Sequence, residues 1–424
     1  MTHRALDPAT DGTGSSSGPA TALAVTGVGL VTAAGIGVDA SWEGVCRGDS
    51  AGARDDRLAG LPVDIACGVP GLDPVRHVGR RSPLTQDRFV QLAVVAAREA
   101  VADSGLDPKT WDGARVGVVV GCGLGGVSTW EAQHSRLLEL GADQVSALLV
   151  PMLVPNMAAG HLAMDLGATG PNLVTATACA SGGTAIGTAA GLLRDGSCDV
   201  VVAGGSEAGV SPLMVTGFTR MGALSRRVDE PAAASRPFDA DRDGFVIGEG
   251  SGMLVLERAR DAAARGARVR ARLAGYGASA DAYHLTAPDP KGAGALRAMR
   301  AALAQAGVGG DEVDHVNAHG TSTRLNDAVE ASVLRGLLGD RATVTSAKGV
   351  LGHTLGAAGA IEAALTVLSV ERSTVPPTAN LRRPDPAVDL DVVAGTPREQ
   401  KVEVAMSNSF GFGGQNAVLV FTAA

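Results

Sequence analysis

The sequence Thr-Ala-Thr-Ala-Cys-Ala-Ser-Gly-Gly (residues 175–183) stands between an apolar stretch and a run with helical spacing, Thr184 to Arg194. This order predicts a strand, a tight turn and a helix, with Cys179 on the turn. A cysteine at the start of a helix lies at the positive end of the helix dipole, which favours the thiolate over the thiol. Because its neighbours are small, a substrate can approach the backbone. Cys179 is therefore a candidate nucleophile.

Strands and helices alternate on both sides of this turn. Short apolar, β-branched runs predict buried strands, and the longer runs between them have helical spacing. This alternation favours an α/β fold with parallel-rich sheets covered by helices. We predict a tail at 1–20, one half at 21–267 that carries the nucleophile, and a second half at 268–424. Strands are predicted at 22–29, 115–120, 199–204, 269–276, 315–318, 343–346, 402–407 and 417–421, and helices at 41–47, 89–105, 129–140, 156–167, 184–194, 293–307, 327–338 and 356–369.

Composition excludes several classes of protein. The chain has 424 residues, is 45% apolar and carries a formal net charge of −8, which argues against a nucleic-acid partner. Its five cysteines are scattered without a C-x-x-C pair, so we expect no disulfide framework or cysteine zinc site and a reducing, cytoplasmic location. No apolar run reaches membrane-spanning length. The first 20 residues are polar and rich in Ser, Gly, Thr and Pro, which predicts a disordered tail rather than a signal peptide.

Two histidines have informative neighbours. His319 follows a predicted strand in NAHGTST (317–323), at a strand end where α/β sheets carry their ligands. His353 comes five residues after Lys348 in SAKGVLGHT (346–354). One cysteine and two distant histidines suggest carbon–carbon bond formation on a thioester. The histidines lack the short spacing of a helical zinc motif, so no metal chemistry is required.

The segment Gly121–Gly126 (GCGLGG) matches the G-x-G-x-x-G pattern of dinucleotide-binding loops. The residues after it are polar and helical, and no second strand ends in an acidic residue at the expected distance. We therefore interpret it as a tight turn that allows close packing, and we expect no nucleotide cofactor.

Taken together, these segments resemble the β-ketoacyl-acyl-carrier-protein synthases, specifically the chain-elongating type with a Cys-His-His centre. The likeness runs from about residue 21 to residue 421. The resemblance implies the thiolase fold, in which two similar halves form a five-layered αβαβα core, usually as a dimer. The matching segments are VTGVGL (25–30), VGVVVGCGLGG (116–126), the Cys179 segment, DVVVAGGSEA (199–208), SRPFDADRDGFVIGEGSGMLVLE (235–257), ASADAYHLTAPDP (278–290), VNAHGTST (316–323), SAKGVLGHTLGAAGAIEA (346–363), PPTANL (376–381) and NSFGFGGQN (408–416).

The resemblance assigns roles residue by residue. Cys179 matches the acyl-accepting nucleophile, His319 and His353 match the pair that serves decarboxylation and condensation, and Lys348 matches the lysine that orders the second histidine. Phe412 matches a gating phenylalanine whose backbone N–H, with that of Cys179, forms an oxyanion hole. The remaining matches are Thr321 and Thr323 for the carrier's phosphopantetheine, Leu124, Leu149, Phe218 and Phe410 for the substrate pocket, Glu330 for a structural acid near the site, and Asn317, Glu362 and Ser407 for a monovalent-cation site found in some members.

The implied reaction is a decarboxylative condensation by a ping-pong mechanism. The acyl chain is transferred from an acyl carrier protein to Cys179, and malonyl-carrier then supplies an enolate. No cofactor beyond the carrier's phosphopantetheine is implied. The expected partners are the carrier and a second subunit, either an identical chain or a related chain-length factor. Membrane and nucleic-acid partners are not expected.

Three other functions fit the sequence less well. A catalytically silent chain-length partner typically lacks the cysteine that this chain has. A thiolase acting on coenzyme A thioesters has one histidine and a second cysteine as base, whereas this chain has paired histidines, Lys348 and the GFGG loop. A Cys-His hydrolase has no support beyond Cys179. Within the family, fatty-acid and polyketide pathways both remain open.

The stretch before residue 89 departs from the family, which usually has a basic segment there. Arg80, Arg81 and Arg88 are candidates for contact with an acidic carrier, although ordinary solvated arginines explain them equally well.

Overall fold

The computed structural model describes residues 22–424, so the tail predicted at 1–20 lies outside the described residues. Strands and helices alternate as the sequence predicts. The strands are β1 (Leu23–Thr32), β2 (Gly35–Ile36), β3 (Ala53–Arg54), β4 (Ile65–Ala66), β5 (Val116–Gly121), β6 (Asn172–Thr175), β7 (Val200–Ala208), β8 (Glu249–Arg258), β9 (Ala271–Ala280), β10 (His315–Asn317), β11 (Thr343–Thr345), β12 (Thr374–Val375), β13 (Asp391–Val392), β14 (Arg398–Glu399), β15 (Val404–Gly411) and β16 (Gln415–Thr422). The α-helices are α1 (Val38–Arg47), α2 (Pro74–His77), α3 (Ser82–Thr85), α4 (Arg88–Ser104), α5 (Val127–Leu140), α6 (Leu149–Leu153), α7 (Met157–Leu166), α8 (Ser181–Arg194), α9 (Pro212–Met221), α10 (Ala259–Ala264), α11 (Ala293–Ala306), α12 (Arg324–Leu338), α13 (Lys348–Leu351) and α14 (Ala358–Arg372).

The main sheet is parallel at its ends and antiparallel at its centre. Its order is β13-β11-β10-β15-β16-β9-β1-β8-β7-β5-β6, and β2 pairs with β1. The strands from β13 to β15 and from β7 to β6 run parallel, as predicted, whereas the pairs from β15 to β7 are antiparallel. The antiparallel direction of the central strands was not predicted, because a strand buried on both faces, such as β1, has the same apolar pattern in either direction.

Helices α8 and α14 form a central layer between the two halves of the sheet. Every residue of α14 from Ala358 to Val370 is buried, and α14 contacts strands of both halves. Helix α4 covers the outer face of β1 and β8, and α11 covers the outer face of β9 and β16. The layers therefore follow the order αβαβα, as predicted. Within residues 22–424, no helix combines the length and apolar character needed to cross a membrane.

Candidate active site

Cys179 lies on the predicted turn between β6 and α8. The turn is a single 3₁₀ segment, Ala178–Ala180. Ala178 has φ 49°, in the left-handed region that non-glycine residues rarely adopt, so the backbone before the thiol is strained. The Ser181 hydroxyl accepts a hydrogen bond from the Thr177 N–H at 2.9 Å and donates one to the Ala178 carbonyl at 2.6 Å. These bonds fix the turn and direct Cys179 into a cavity.

The cavity has a volume of about 480 Å³ and brings together Cys179, His319 and His353 from distant parts of the chain. His319 follows β10 directly, and His353 follows α13. The cavity also contacts most of the other predicted site residues, which are Leu124, Phe218, Thr321, Thr323, Glu330, Phe410 and Phe412.

The rings of His319 and His353 meet edge to face, with centroids 5.5 Å apart and planes at 83°. His353 Nδ1 accepts the N–H of Leu355 at 3.3 Å, so the ring proton of neutral His353 is on Nε2. Burial and the Lys348 charge hold the pKa values of both histidines well below their usual range. Two neutral rings therefore each offer one N–H donor.

The surroundings of Cys179 favour the thiol, contrary to the prediction from the helix dipole. Burial raises the pKa of Cys179 to about 11, and the Lys348 charge and a hydrogen bond from the Phe412 N–H oppose that rise only in part. Burial disfavours a charged thiolate, and at Cys179 it outweighs the two contacts that lower the pKa. The resting nucleophile is therefore a thiol that must lose its proton during reaction.

Lys348 lies behind the cavity in an ion pair with Glu362, and both side chains are buried. Burial raises the pKa of Glu362 to about 7, and Lys348 opposes this rise. No hydrogen bond joins Lys348 to His353 within the described chain. Lys348 therefore acts on His353 through its charge.

Glu330 holds the segment that carries His319. Its carboxylate oxygens accept the backbone N–H groups of His319 and Gly320, each at 2.8 Å. Asn408 also donates to this carboxylate at 3.1 Å. These bonds fix the backbone of His319 from its buried side.

The loop between β15 and β16 brings Phe412 to Cys179. The Phe412 N–H donates to the Cys179 sulfur, and a Cβ on Gly411 would lie 3.2 Å from the Cys179 backbone nitrogen. The amides of Cys179 and Phe412 are therefore neighbours, as an oxyanion hole requires. A backbone bond from Asp281 N–H to the Gly414 carbonyl, 2.8 Å long, ties this loop to the segment after β9.

Some predicted residues lie elsewhere. Leu149, the first residue of α6, is half-buried and does not line the cavity of its own chain, which corrects its assignment as a pocket residue in this subunit. Arg88 pairs with the buried carboxylate of Glu249 and is not free to contact a carrier. Arg80 and Arg81 are exposed.

Asn317, Glu362 and Ser407 converge behind the cavity. Asn317 and Ser407 are paired residues of the neighbouring strands β10 and β15, and Asn317 Nδ2 donates to the Glu362 carbonyl at 3.5 Å. One buried oxygen of each side chain, Oδ1, Oε2 and Oγ respectively, has no hydrogen-bond partner among the residues described. Three unpartnered oxygens suit a hard monovalent cation.

Sequence reasoning missed Phe245, Leu355 and Glu207, which also line the cavity. The Phe245 ring meets His353 edge to face, with centroids 5.2 Å apart. Glu207 stands at the end of the apolar run DVVVAGGSEA, and a buried acid after such a run was the available signal. No sequence pattern indicated Phe245 or Leu355, because each residue reaches the cavity through a turn of the folded chain.

A buried cysteine on a strand-to-helix turn, facing two neutral N–H donors, defines a condensing acyltransferase: the thiol can hold an acyl group while the donors stabilise an enolate. Comparison with known proteins agrees. Models of the β-ketoacyl synthase N-terminal and C-terminal domains match residues 20–262 and 270–382. The chain belongs to the β-ketoacyl synthase family, which confirms the resemblance and the thiolase fold.

Relatives and solved structures cover nearly the whole chain. The chain is 43% identical to 3-oxoacyl-[acyl-carrier-protein] synthase 2 of Synechocystis sp. and to that of Staphylococcus aureus, covering 94% of this chain and 97% of each relative. Similar structures include a β-ketoacyl synthase from Burkholderia phymatum (35% identity, TM-score 0.89, covering 95% and 100%) and the ishigamide ketosynthase/chain length factor (35%, 0.89, covering 95% and 99%). A third is a type II polyketide ketosynthase in complex with its acyl-carrier protein, bound to the hexaketide (32%, 0.87, covering 95% and 99%).

Proposed function

We propose that this chain condenses a Cys179-bound acyl group with malonyl-carrier, releasing CO₂ and a β-ketoacyl-carrier. The convergence of Cys179, His319 and His353 on one cavity, with Lys348 behind it, is the observation that carries this proposal.

In the first half-reaction, the Cys179 sulfur attacks the thioester carbonyl of the acyl-carrier. The backbone N–H groups of Cys179 and Phe412 receive the oxyanion, and each such donor typically lowers the barrier by about 3 kcal/mol. The carrier sulfur leaves with the proton that Cys179 loses. Apolar side chains, including Leu124 and Phe218, then hold the acyl chain in the cavity.

In the second half-reaction, the bond between the malonyl carboxylate and its methylene carbon breaks and CO₂ leaves. The N–H donors of neutral His319 and His353 stabilise the enolate oxygen. The methylene carbon then bonds to the acyl carbonyl, and the Cys179 sulfur leaves and regains a proton. This step uses neutral histidines and not protonated ones, which agrees with their lowered pKa values.

Thr321 and Thr323 are the proposed contacts for the carrier's phosphopantetheine. Their hydroxyls bond each other at 2.9 Å and line the cavity, so they can exchange this bond for amides of an entering arm. The mechanism requires no other cofactor. A monovalent cation held by the free oxygens of Asn317, Glu362 and Ser407 would add positive charge behind the histidines.

We propose a second subunit on the face formed by α5–α7 and β6. β6 is an edge strand, and exposed apolar side chains surround it, among them Leu138, Val150, Met164 and Leu173. An unpaired edge with an apolar surround favours pairing with another chain. An identical chain and a chain-length-factor partner both fit, since one similar structure is a ketosynthase/chain length factor.

The relatives named 3-oxoacyl-[acyl-carrier-protein] synthase 2 support fatty-acid elongation, and the ketosynthase structures support type II polyketide synthesis.

We propose a cytoplasmic location, where the five free thiols would remain reduced. We also propose that the two halves divide at 267/268, in the connection between α10 and β9.

The deciding experiment is intact-protein mass spectrometry with a panel of acyl-carriers, followed by malonyl-carrier. We expect a stoichiometric acyl adduct that Cys179→Ala abolishes and that Cys198→Ala, a matched change at a buried core cysteine, retains. Malonyl-carrier should then release a β-ketoacyl-carrier.

Acylation only after addition of a chain-length factor would establish the heterodimer. Acylation by acyl-coenzyme A with no response to any carrier would instead indicate a thiolase. A Cys179 that accepts no acyl group from carriers, with or without partners, would refute the proposal.

A further inference from the structure

The glycine-rich loop Gly121–Gly126, which resembles a dinucleotide-binding turn, holds a carboxylate of the protein itself. The Gly123 N–H donates to Glu207 Oε2 at 2.7 Å and the Leu124 N–H to Glu207 Oε1 at 3.1 Å. The Cys122 thiol donates to Oε1 at 3.3 Å. Successive N–H groups in a turn form a concavity that binds anions. In this protein the anion is the side chain of Glu207.

Glu207 also binds the segment that carries His353. The Gly356 N–H, three residues after His353, donates to Glu207 Oε2 at 3.2 Å. A methyl group on Gly356 would lie 2.5 Å from this oxygen and 2.6 Å from the Gly123 nitrogen. The two segments therefore meet at the carboxylate with no room for a side chain between them.

The contacts indicate the ionised form of Glu207. Glu207 is fully buried and lines the cavity. The four groups within hydrogen-bond distance of its carboxylate, described above, all donate to it. A protonated carboxyl would need an acceptor, and of these four groups only the Cys122 sulfur can accept, which it does weakly. Burial raises the pKa of this carboxyl, and the four donors oppose the rise.

We infer that Glu207 is a positioning residue for the condensing reaction, whose carboxylate holds the Leu124 wall of the acyl cavity and the His353 segment in one fixed relation. The inference rests on the proposed function, since it is the condensing reaction that uses both parts. Acyl loading needs the Leu124 wall and decarboxylation needs the His353 N–H, so displacing Glu207 affects both half-reactions.

The charge of Glu207 supplies an independent readout. It raises the pKa of the Cys179 thiol, as Glu362 does, whereas Lys348 lowers it. The other titratable groups of the cavity wall are the neutral His319 and His353, together with Asp243, Asp281, Asp289, Arg324 and Glu330, and all of these stay the same in a Glu207 variant. Removing the Glu207 charge should therefore shift Cys179 alkylation to lower pH.

Two variants and a control test the inference. Glu207→Gln removes the charge and turns an amide donor towards backbone donors. Gly123→Ala keeps the charge but places a methyl 3.0 Å from Glu207 Oε2, which displaces the carboxylate. The control Glu257→Gln changes a buried acid of β8 that bonds Thr26 and Arg265 outside the cavity. Each protein is assayed for CO₂ release from malonyl-carrier, iodoacetamide alkylation of Cys179 against pH, and melting temperature.

We expect both Glu207→Gln and Gly123→Ala to lower kcat for CO₂ release by about tenfold or more, the scale for a misplaced catalytic group, with little change in KM. Only Glu207→Gln should move the alkylation profile, and Glu257→Gln should change neither. Normal kcat in both test variants would overturn the inference. An equal loss of kcat in Glu257→Gln, accompanied by a fall in its melting temperature, would also overturn the inference.

Failure of the proposed function would look different. A wild-type protein that releases no CO₂, either alone or with a chain-length-factor partner, refutes the function, and the alkylation profiles then decide the inference. A shift in Glu207→Gln that Glu257→Gln lacks would support the placement of the carboxylate against the cavity. The same profile in both variants would overturn it.

Discussion

Lys348 and Glu362 form an ion pair between two side chains that are almost completely buried, at 2% and 3% side-chain exposure. The single Lys348 charge acts on three reacting groups, because it lowers the pKa values of Cys179, His319 and His353. It thus favours the thiolate needed for acyl transfer and the neutral rings needed for decarboxylation. Glu362 keeps this charge in place without neutralising it completely.

Replacement of Lys348 should weaken the nucleophile. In Lys348→Met the pKa of Cys179 should rise, and each unit of rise reduces the thiolate fraction about tenfold at pH 8. We expect slower alkylation of Cys179 by iodoacetamide at pH 8 and loss of condensation. Alkylation rates measured by intact mass provide the test, with the exposed Lys401→Met as control. Alkylation as fast as in the wild type would show that Lys348 does not act on the thiol.

Replacement of Glu330 should release the backbone of His319. Glu330→Gln turns an amide donor towards the N–H of His319 or Gly320, so one buried donor loses its acceptor, at a cost of about 1–3 kcal/mol in stability. We expect kcat for CO₂ release to fall by roughly tenfold to a hundredfold.

The matched control for that change is Glu312→Gln. Glu312 also accepts a backbone N–H, from Gly309 at 2.7 Å, but it is exposed and does not line the cavity. Steady-state kinetics and urea unfolding of both variants separate the two effects. Equal kinetics in Glu330→Gln and the wild type would mean that the His319 position does not depend on this carboxylate.

Local patterns in the sequence were enough to predict the alternation of strands and helices and to propose the reacting groups, whereas the five layers were implied by the family resemblance. Cys179 follows a short strand and precedes a helix, and such a turn can be recognised within nine residues. The antiparallel centre of the sheet could not be predicted, since β1 is buried on both faces and its pattern carries no direction. The distance of Leu149 from the cavity of its own chain could not be predicted either, because it depends on the path of α5 and α6. The protonation of Cys179 depends on burial by distant segments.

The loop that carries Phe412 offers a matched pair of glycines. Both have positive φ, 80° at Gly413 and 71° at Gly414, so alanine at either position carries a similar backbone cost of about 1 kcal/mol. A Cβ at Gly414 would also lie 2.7 Å from the Asp281 Cβ, whereas a Cβ at Gly413 meets only the Gln415 side chain, at 3.5 Å.

We therefore expect Gly414→Ala to slow acylation of Cys179 much more than Gly413→Ala does. Rapid-quench measurement of the acyl-enzyme burst checks this expectation. Similar burst rates in the two variants would show that contact with Asp281 does not control the loop.

His315 makes stability depend on pH without taking part in the reaction. Its ring is completely buried, and burial lowers its pKa to about 4. In the unfolded chain the ring binds a proton near pH 6.5, so the unfolded state binds more protons as the pH falls from 6.5 towards 4. The folded state is therefore favoured above pH 6.5 and loses this advantage on acidification. From pH 7.5 to 5.0 the loss from this one ring is about 2 kcal/mol.

His315→Asn should remove that part of the pH dependence. The histidines of the active site contribute equally in both proteins, so the difference between wild type and variant isolates His315. Urea unfolding at pH 7.5 and 5.0 should show a smaller loss in His315→Asn, by about 2 kcal/mol. His284→Asn, at an exposed ring, should behave like the wild type. If wild type and His315→Asn lose the same stability on acidification, then His315 binds its proton equally in both states and is not buried as described.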